Sequence, residues 1–159
     1  MTEAPKDRQT LVLFRVEGQR YALRLPAVER VIRAVAVTVV PEAPAFVLGL
    51  INLAGKLLSV VSLRRRLGLS DRAILPEDQF VIARTSRLTV ALAVDEVEGL
   101  SAHEVSRTIA PGDVLPGRNC RVDGLIKLDG DIILIYDLEK LFGDEDQDRL
   151  LQLKAAAES

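Results

Sequence analysis

The chain has no tryptophan, a single cysteine, a single histidine and an aromatic content of 4%. The lone Cys120 has no internal disulfide partner and no Cys or His neighbour at metal-ligand spacing, which removes a disulfide framework and suits a reducing compartment. A small, partly buried thiol is its expected state. His103 stands beside Glu104 with no serine or cysteine nucleophile pattern around it, so a solvated loop histidine is expected rather than a general base. An excess of one charge is also missing. The 21 basic and 23 acidic side chains leave a net charge of −2, which provides no field to hold a phosphate backbone and excludes nucleic acid as a partner. No window offers about 18 uninterrupted apolar residues, and Met1 to Thr10 lacks an apolar core, so a cytoplasmic protein without direct membrane insertion is expected. Neither the G-x-G-x-x-G nor the G-x-x-x-x-G-K-[ST] spacing occurs, which leaves no phosphate cradle.

Paired acids occur at Asp95 and Glu96, at Asp129 and Asp131, and through Asp144, Glu145, Asp146 and Asp148, but none matches a metal or hydrolase motif. A strand end, a hairpin turn and a solvated segment before a helix account for them, the last because negative charge is favourable near a helix N-terminus. Catalytic residues, metal ligands and cofactors are therefore not expected.

What the chain does have is aliphatic bulk. Hydrophobic residues make up 48% of its 159 residues, and a domain of this size buries roughly 70% of its unfolded surface. With so few aromatics the core must come from Val, Ile, Leu and Ala, which favours packed strands. Leu11 to Val16 and Tyr21 to Leu25 read as a hairpin turning at Gly18. Beyond Pro26, the spacing of Val28, Val31 and Ile32 allows one or two helical turns or an irregular apolar ridge. Val35 to Val40 is a β-branched run, and Pro41 to Pro44 a loop. Phe46 to Leu53 and Lys56 to Val61 form a second hairpin around Ala54 and Gly55, with Ser62 capping a short helix stopped by Gly68. Phe80 to Ala83 and Leu88 to Val94 form a third. Ser101 to Asn119 reads as a long, partly irregular connection. Val122 to Leu128 and Ile132 to Tyr136, joined by Asp129 and Gly130, form a fourth hairpin, with Asp137 capping a short helix ended by Gly143. Asp148 to Ala157 is a terminal helix docked by one face, or a frayed tail. The basic run Arg64, Arg65, Arg66 would point in three directions on a short helix, as solvated charges with one partner contact at most.

The chain also repeats itself. Setting Gly49 on Gly124, an offset of 124 minus 49, or 75, superimposes Leu50 to Leu53 and Gly55 on Leu125 to Leu128 and Gly130, and Leu63 and Gly68 on Leu138 and Gly143, without a gap. A weaker echo at an offset of 69 pairs Ala22, Leu23, Leu25 and Val28 with Ala91, Leu92, Val94 and Val97. Each half is thus hairpin, connection, hairpin. Short strands with closely spaced turns suit small barrels, which close their sheets and remove vulnerable edges. Two similar barrels packed together leave an aliphatic seam between them, either simply core or a groove for a partner helix.

Pro41 to Leu69, PEAPAFVLGLINLAGKLLSVVSLRRRLGL, resembles the signature of the CheW family, an AP-x-F-V-x-G-x-I-N-L-R-G hairpin followed by an aliphatic strand and D-L-R-x-R-x-G. The upstream FRVEGQRYALRLPAVERVIR and the downstream IILIYDLEKLF match in place, so the resemblance runs from Thr10 to Gly143, with residues 1–9 as a tail and 144–159 as a C-terminal helix or tail. It implies an all-β fold of two intertwined, five-stranded, SH3-like barrels with short helices and no enzymatic activity. It further implies an adaptor that takes the hairpin tip of a chemoreceptor in the seam and the regulatory domain of a CheA-type histidine kinase at an exposed barrel end, monomeric when free. Carried over by position, Val28, Arg30, Val31, Ile32, Asn52 and Ala54 are expected at the receptor, and Gly55, Lys56, Arg64 and Arg66 at the kinase. Three positions depart from the pattern. Arg30 replaces an acid in V-x-E-V-I-R, Ala54 replaces the turn arginine, and Ser62 replaces the acid of D-L-R. Such changes rewrite the electrostatic match to a partner. They leave room for a pathway other than motility, or for a protein that binds one partner only. A small-ligand-binding barrel is a remote alternative, since it needs convergent polar groups that the hairpins do not supply.

Overall fold

A computed structural model describes residues 7–110 and 122–158. Ten strands fall into two five-stranded sheets. They are β1 (Arg8–Val16), β2 (Gln19–Arg24), β3 (Val28–Arg33), β4 (Val47–Leu53), β5 (Lys56–Ser62), β6 (Gln79–Arg84), β7 (Thr89–Val94), β8 (Glu96–Glu104), β9 (Val122–Leu128) and β10 (Asp131–Tyr136). Short helices α1 (Leu63–Arg66) and α2 (Leu138–Leu141) follow β5 and β10, and α3 (Asp144–Glu158) ends the chain.

The first sheet runs β8-β1-β2-β10-β9 and the second β3-β6-β7-β5-β4. The four expected hairpins are all present, but neither sheet is built from one half of the chain. The first hairpin pairs with the last through the parallel contact of β2 with β10, and the two middle hairpins pair through β5 and β7. The third strand of each unit is exchanged. β3 leaves the first hairpin to pair with β6, and β8 leaves the third to pair with β1. Each sheet closes into a barrel through a two-way backbone bridge, Thr38 with Leu50 at 2.9 Å in both directions and Ile109 with Leu125 at 2.8 and 2.9 Å.

The repeat reaches into detail. Ser62 and Asp137, 75 residues apart in the repeat register, cap α1 and α2 by accepting from Arg65 N and Glu139 N. Both exchanged strands carry a bulge beside a valine, at Glu29 and at Glu98, which match at the offset of 69. The two glycines on which the repeat aligns sit where the closing segment crosses the sheet. A Cβ on Gly49, whose φ is +152°, would lie 2.1 Å from Thr38 O, and one on Gly124 would meet the Thr108 methyl at 2.4 Å.

Three segments depart from expectation. Val28 to Ile32 is neither helical nor a single ridge, because pairing with β6 makes it a bulged strand. Val35 to Val40 pairs with the sheet only at Thr38, with Val37 packed on the second core. The connection expected from Ser101 begins as β8, whose pairing with β1 spans most of the chain and leaves no local signal. Register along β8 also turns His103 inward, 6% exposed and 2.6 Å from Ser101 Oγ, so it is a buried strand residue and not a solvated one. Cys120 lies outside the described residues.

The core has three parts. Leu11, Leu13, Ala22, Ile126, Ile133 and Ile135 fill the first barrel, and Ile51, Leu58, Val60, Phe80, Ile82 and Ala91 the second. The largest cluster is the seam, where Phe14, Tyr21 and Leu23 of one sheet meet Val81, Leu92 and Val94 of the other. Leu63 of α1, Leu138 and Leu141 of α2 and Leu150 of α3 join it, so the helices seal one side. The acids Asp144 to Asp148 form the opening turns of α3 rather than a segment before it.

The crossing geometry fixes a stability prediction. Gly49→Ala puts a methyl against backbone in a conformation that L residues avoid, and should cost about 3 kcal/mol or more. Gly124→Ala meets only a side-chain methyl, so its smaller loss should be largely recovered in the Gly124→Ala/Thr108→Ser double variant. Urea unfolding midpoints test this, and equal losses at both glycines, or no recovery, would refute it.

Candidate protein-binding surfaces

The centre of the seam is closed. The void between Phe14, Tyr21, Leu63 and Leu92 is about 10 Å³, too small for a partner side chain. Every fully buried side-chain nitrogen or oxygen among the described residues has a hydrogen-bond partner, so the interior presents no free polar group to a ligand. Binding surface must lie at the margins.

One margin is formed by the exchanged strands. Val28, Val31 and Val97 are half-buried against the seam cluster, and Leu100 is 63% exposed. Gln79, opposite Arg33 in the β3–β6 ladder, accepts from Val97 N at 2.7 Å, so the start of β8 lies against the end of β3. Val28 and Val31 face this margin, but the other two ridge residues do not. Ile32 stands opposite Phe80 and packs in the second barrel, while Arg30 stands opposite Ile82, whose side chain is also interior. Strand alternation separates neighbours that the spacing had grouped. Val97 and Leu100 are additions to the expected set. Leu100 occupies on β8 the register position of Val31 on β3, and the offset of 69 that links Val28 to Val97 was the signal for it.

The second surface is a groove of about 1070 Å³ on the second barrel, between residues 34–48 and 71–76. Val35 and Val39 stand out of it, at 49% and 75% exposure. Its walls are held by charges. Arg72 donates to both carboxylate oxygens of Asp78, at 2.7 and 2.9 Å, and to Asp95 at 2.9 Å, while Leu75 N donates to Asp78 at 2.8 Å. Arg65 reaches across from α1, donating to Asp71 on one wall and to Ala45 O on the other.

The basic run is thus a set of struts rather than solvated charge. Arg64 binds Asp95 and Ser70 O. Arg66 lies over the Phe46 ring at 4.9 Å, donates to Leu141 O and pairs with Asp146 of α3. Both side chains are spent on the fold, with 13% and 12% exposure, and are poorly placed for a partner. The hairpin tip is exposed at Asn52, Ala54, Gly55 and Lys56, although the Asn52 amide oxygen is occupied in closing the turn through Gly55 N at 2.9 Å. Ala54 and Gly55, with φ of 52° and 87°, make that turn left-handed.

Two closed barrels around a filled seam, with satisfied interior polar groups and open aliphatic margins, define a protein-interaction scaffold. Comparison with known proteins gives the family. The CheW-like domain model matches residues 10–146, and the chain belongs to that family, the scaffolds of chemotaxis signalling. It is 28% identical to the chemotaxis protein CheW of Rhizobium meliloti, over 93% of this chain and 99% of that protein. It is 30% identical to the CheW of Thermotoga maritima, over 89% and 91%. The crystal structure of the scaffolding protein TtCheW from Thermoanaerobacter tengcongensis is similar with a TM-score of 0.78 and 28% identity, over 88% of this chain and 96% of that one.

Asp78 links the groove to pH. Burial opposes its ionisation, but the Arg72 fork and the Leu75 amide outweigh burial and hold its carboxyl below the ordinary value. A depressed folded pKa gives stability that is complete above the unfolded value of about 3.9 and fades as pH falls through the folded one. Asp78→Asn should therefore lose about 2 kcal/mol at neutral pH, with its deficit narrowing as the solution is acidified below about pH 4. Chemical denaturation at pH 7 and pH 3 tests this; a constant deficit would refute it.

Proposed function

We propose that this chain couples a chemoreceptor to a CheA-type histidine kinase, holding both in a fixed relation so that receptor conformation biases kinase output. The observation that carries the proposal is the separation of two open aliphatic surfaces on one rigid body. The receptor tip takes the margin of Val28, Val31, Val97 and Leu100, over a seam already packed and so presented without reorganisation. The kinase regulatory domain takes the groove edge of Val35 and Val39 on the second barrel. Asn52, Ala54, Gly55 and Lys56 at the hairpin tip supply a polar fringe, with Lys56 standing in for the missing turn arginine. Arg64 and Arg66 act on the kinase only by holding the groove in shape. Modest affinities suffice, because arrayed receptors make each weak contact intramolecular. The cytoplasm is the compartment where both partners would meet it.

Reconstitution with receptor signalling domain and CheA from the same cell tests this. Leu100→Glu and Val31→Glu should weaken receptor binding about tenfold or more and leave CheA binding intact, and Val39→Glu should do the reverse. Leu100 and Val39 are exposed, so their variants fold whatever happens at Val31. Loss of both partners together in each variant, or of neither, would overturn the two-surface scheme.

A further inference from the structure

On β3, aliphatic surface and an unpaired charge share a face. Alternation from Val31 puts Arg33 on the same side of the strand as Val31, with Ile32 turned into the barrel between them. Arg33 is exposed, and among the described residues no carboxylate pairs with it. The two bulge charges at this margin are spent. Glu29, in the bulge, pairs with Arg84 at 3.4 Å, and its counterpart Glu98 holds Arg15 and Arg20 at 3.0 and 2.9 Å. At the offset of 69, Arg33 corresponds to Ala102 on β8, so the repeat does not require a cation there.

We propose that Arg33 selects the receptor by pairing with one carboxylate on the docking helix, one helical turn from the aliphatic side chain that sits on Val31. This rests on the receptor assignment made above. Two residues of strand place Arg33 about 7 Å beyond Val31, and one helical turn spans about 5.4 Å, so a helix laid along β3 meets both from residues three or four apart. A helix suits this edge better than an added strand, because the bulge at Glu29 breaks the ladder and the charged Arg30 and Arg33 follow it along the edge. The site takes one acid rather than an acidic run. An open hollow of about 360 Å³ beside Arg33 is lined by Pro76, Gln79 and Glu77, and Glu77 repels a second carboxylate.

The experiment is titration of the full chain with the purified cytoplasmic signalling domain of a receptor from the same cell. Arg33→Glu should weaken binding about tenfold or more and flatten its salt dependence, and Arg33→Lys should retain most of it. Glu77→Gln should bind more tightly than the parent, and Arg30→Glu, on the opposite face, should bind like it. One acid-to-lysine change in the receptor helix should restore Arg33→Glu. If Val31→Glu and Leu100→Glu abolish binding while Arg33→Glu does not, the charge pairing is wrong and the docking surface stands. If the parent chain does not bind the domain, or none of the margin variants alters binding, the receptor assignment falls and the role of Arg33 falls with it.

Discussion

The exchange of β3 and β8 between the two sheets is the constraint on which the rest of the molecule depends. A five-stranded barrel of about 50 residues buries little apolar surface alone and is marginal by size. Exchanging one strand ties the two barrels into a single cooperative body, because neither sheet can form until both halves of the chain are present. The tie also creates the seam, whose cluster takes side chains from both sheets and all three helices. Gly49 and Gly124 follow from the same requirement, since the segment after each exchanged strand must pass close over the far strand of the same sheet to close its barrel.

Sealing the seam has a directional consequence. Arg66 from α1 donates to Leu141 O at the end of α2, and the buried Gln147 of α3 bonds both Phe142 O and Thr85 in the β6–β7 turn. One side of the junction is thereby fastened by helices, hydrogen bonds and aromatic rings. The other side is bordered by the exchanged strands, whose pairing leaves one edge free and whose valines are only half-covered. A partner must approach from the side where the fold leaves apolar atoms in water, and so the packing that stabilises the molecule also decides where it is sticky.

Much of this was legible in the residues, and the limits have physical causes. Three of the four hairpins announce themselves locally through Glu17-Gly18, Ala54-Gly55 and Asp129-Gly130, and the β6–β7 hairpin through two strand-like runs around the polar Arg84 to Arg87. The glycines and caps of the repeat were visible because crossing points and helix starts impose the same demands twice. Strand exchange was not visible in the repeat, since two equivalent hairpins can pair within a half or between halves with the same alternation; it entered only through the family resemblance. Val31 and Ile32 looked like one ridge because with Val28 they fit the helical spacing i, i+3 and i+4, and only the β6 ladder separates them. Arg64, Arg65 and Arg66 looked solvated because their acids, Asp95, Asp71 and Asp146, lie 31, 6 and 80 residues away. Sequence distance hides ion pairs as it hides β1 from β8.

A duplicated scaffold gains distinguishable surfaces only by breaking its own symmetry, and this chain does so at matched positions. Arg66 corresponds to Leu141, Arg64 to Glu139, Arg33 to Ala102 and Arg30 to Gly99, at offsets that keep the strands and caps in register. Each difference places a cation on the second barrel or on α1, which follows its β5 strand, and leaves the matching position without one. At the two strand positions backbone geometry changes little, because Arg30 and Arg33 are exposed and their substitution does not disturb close packing. The aliphatic positions, by contrast, stay matched, as Val28 with Val97 and Val31 with Leu100. Matched shape with divergent charge makes the two halves distinguishable, since apolar contact supplies affinity without discrimination and exposed charge discriminates between surfaces of similar shape.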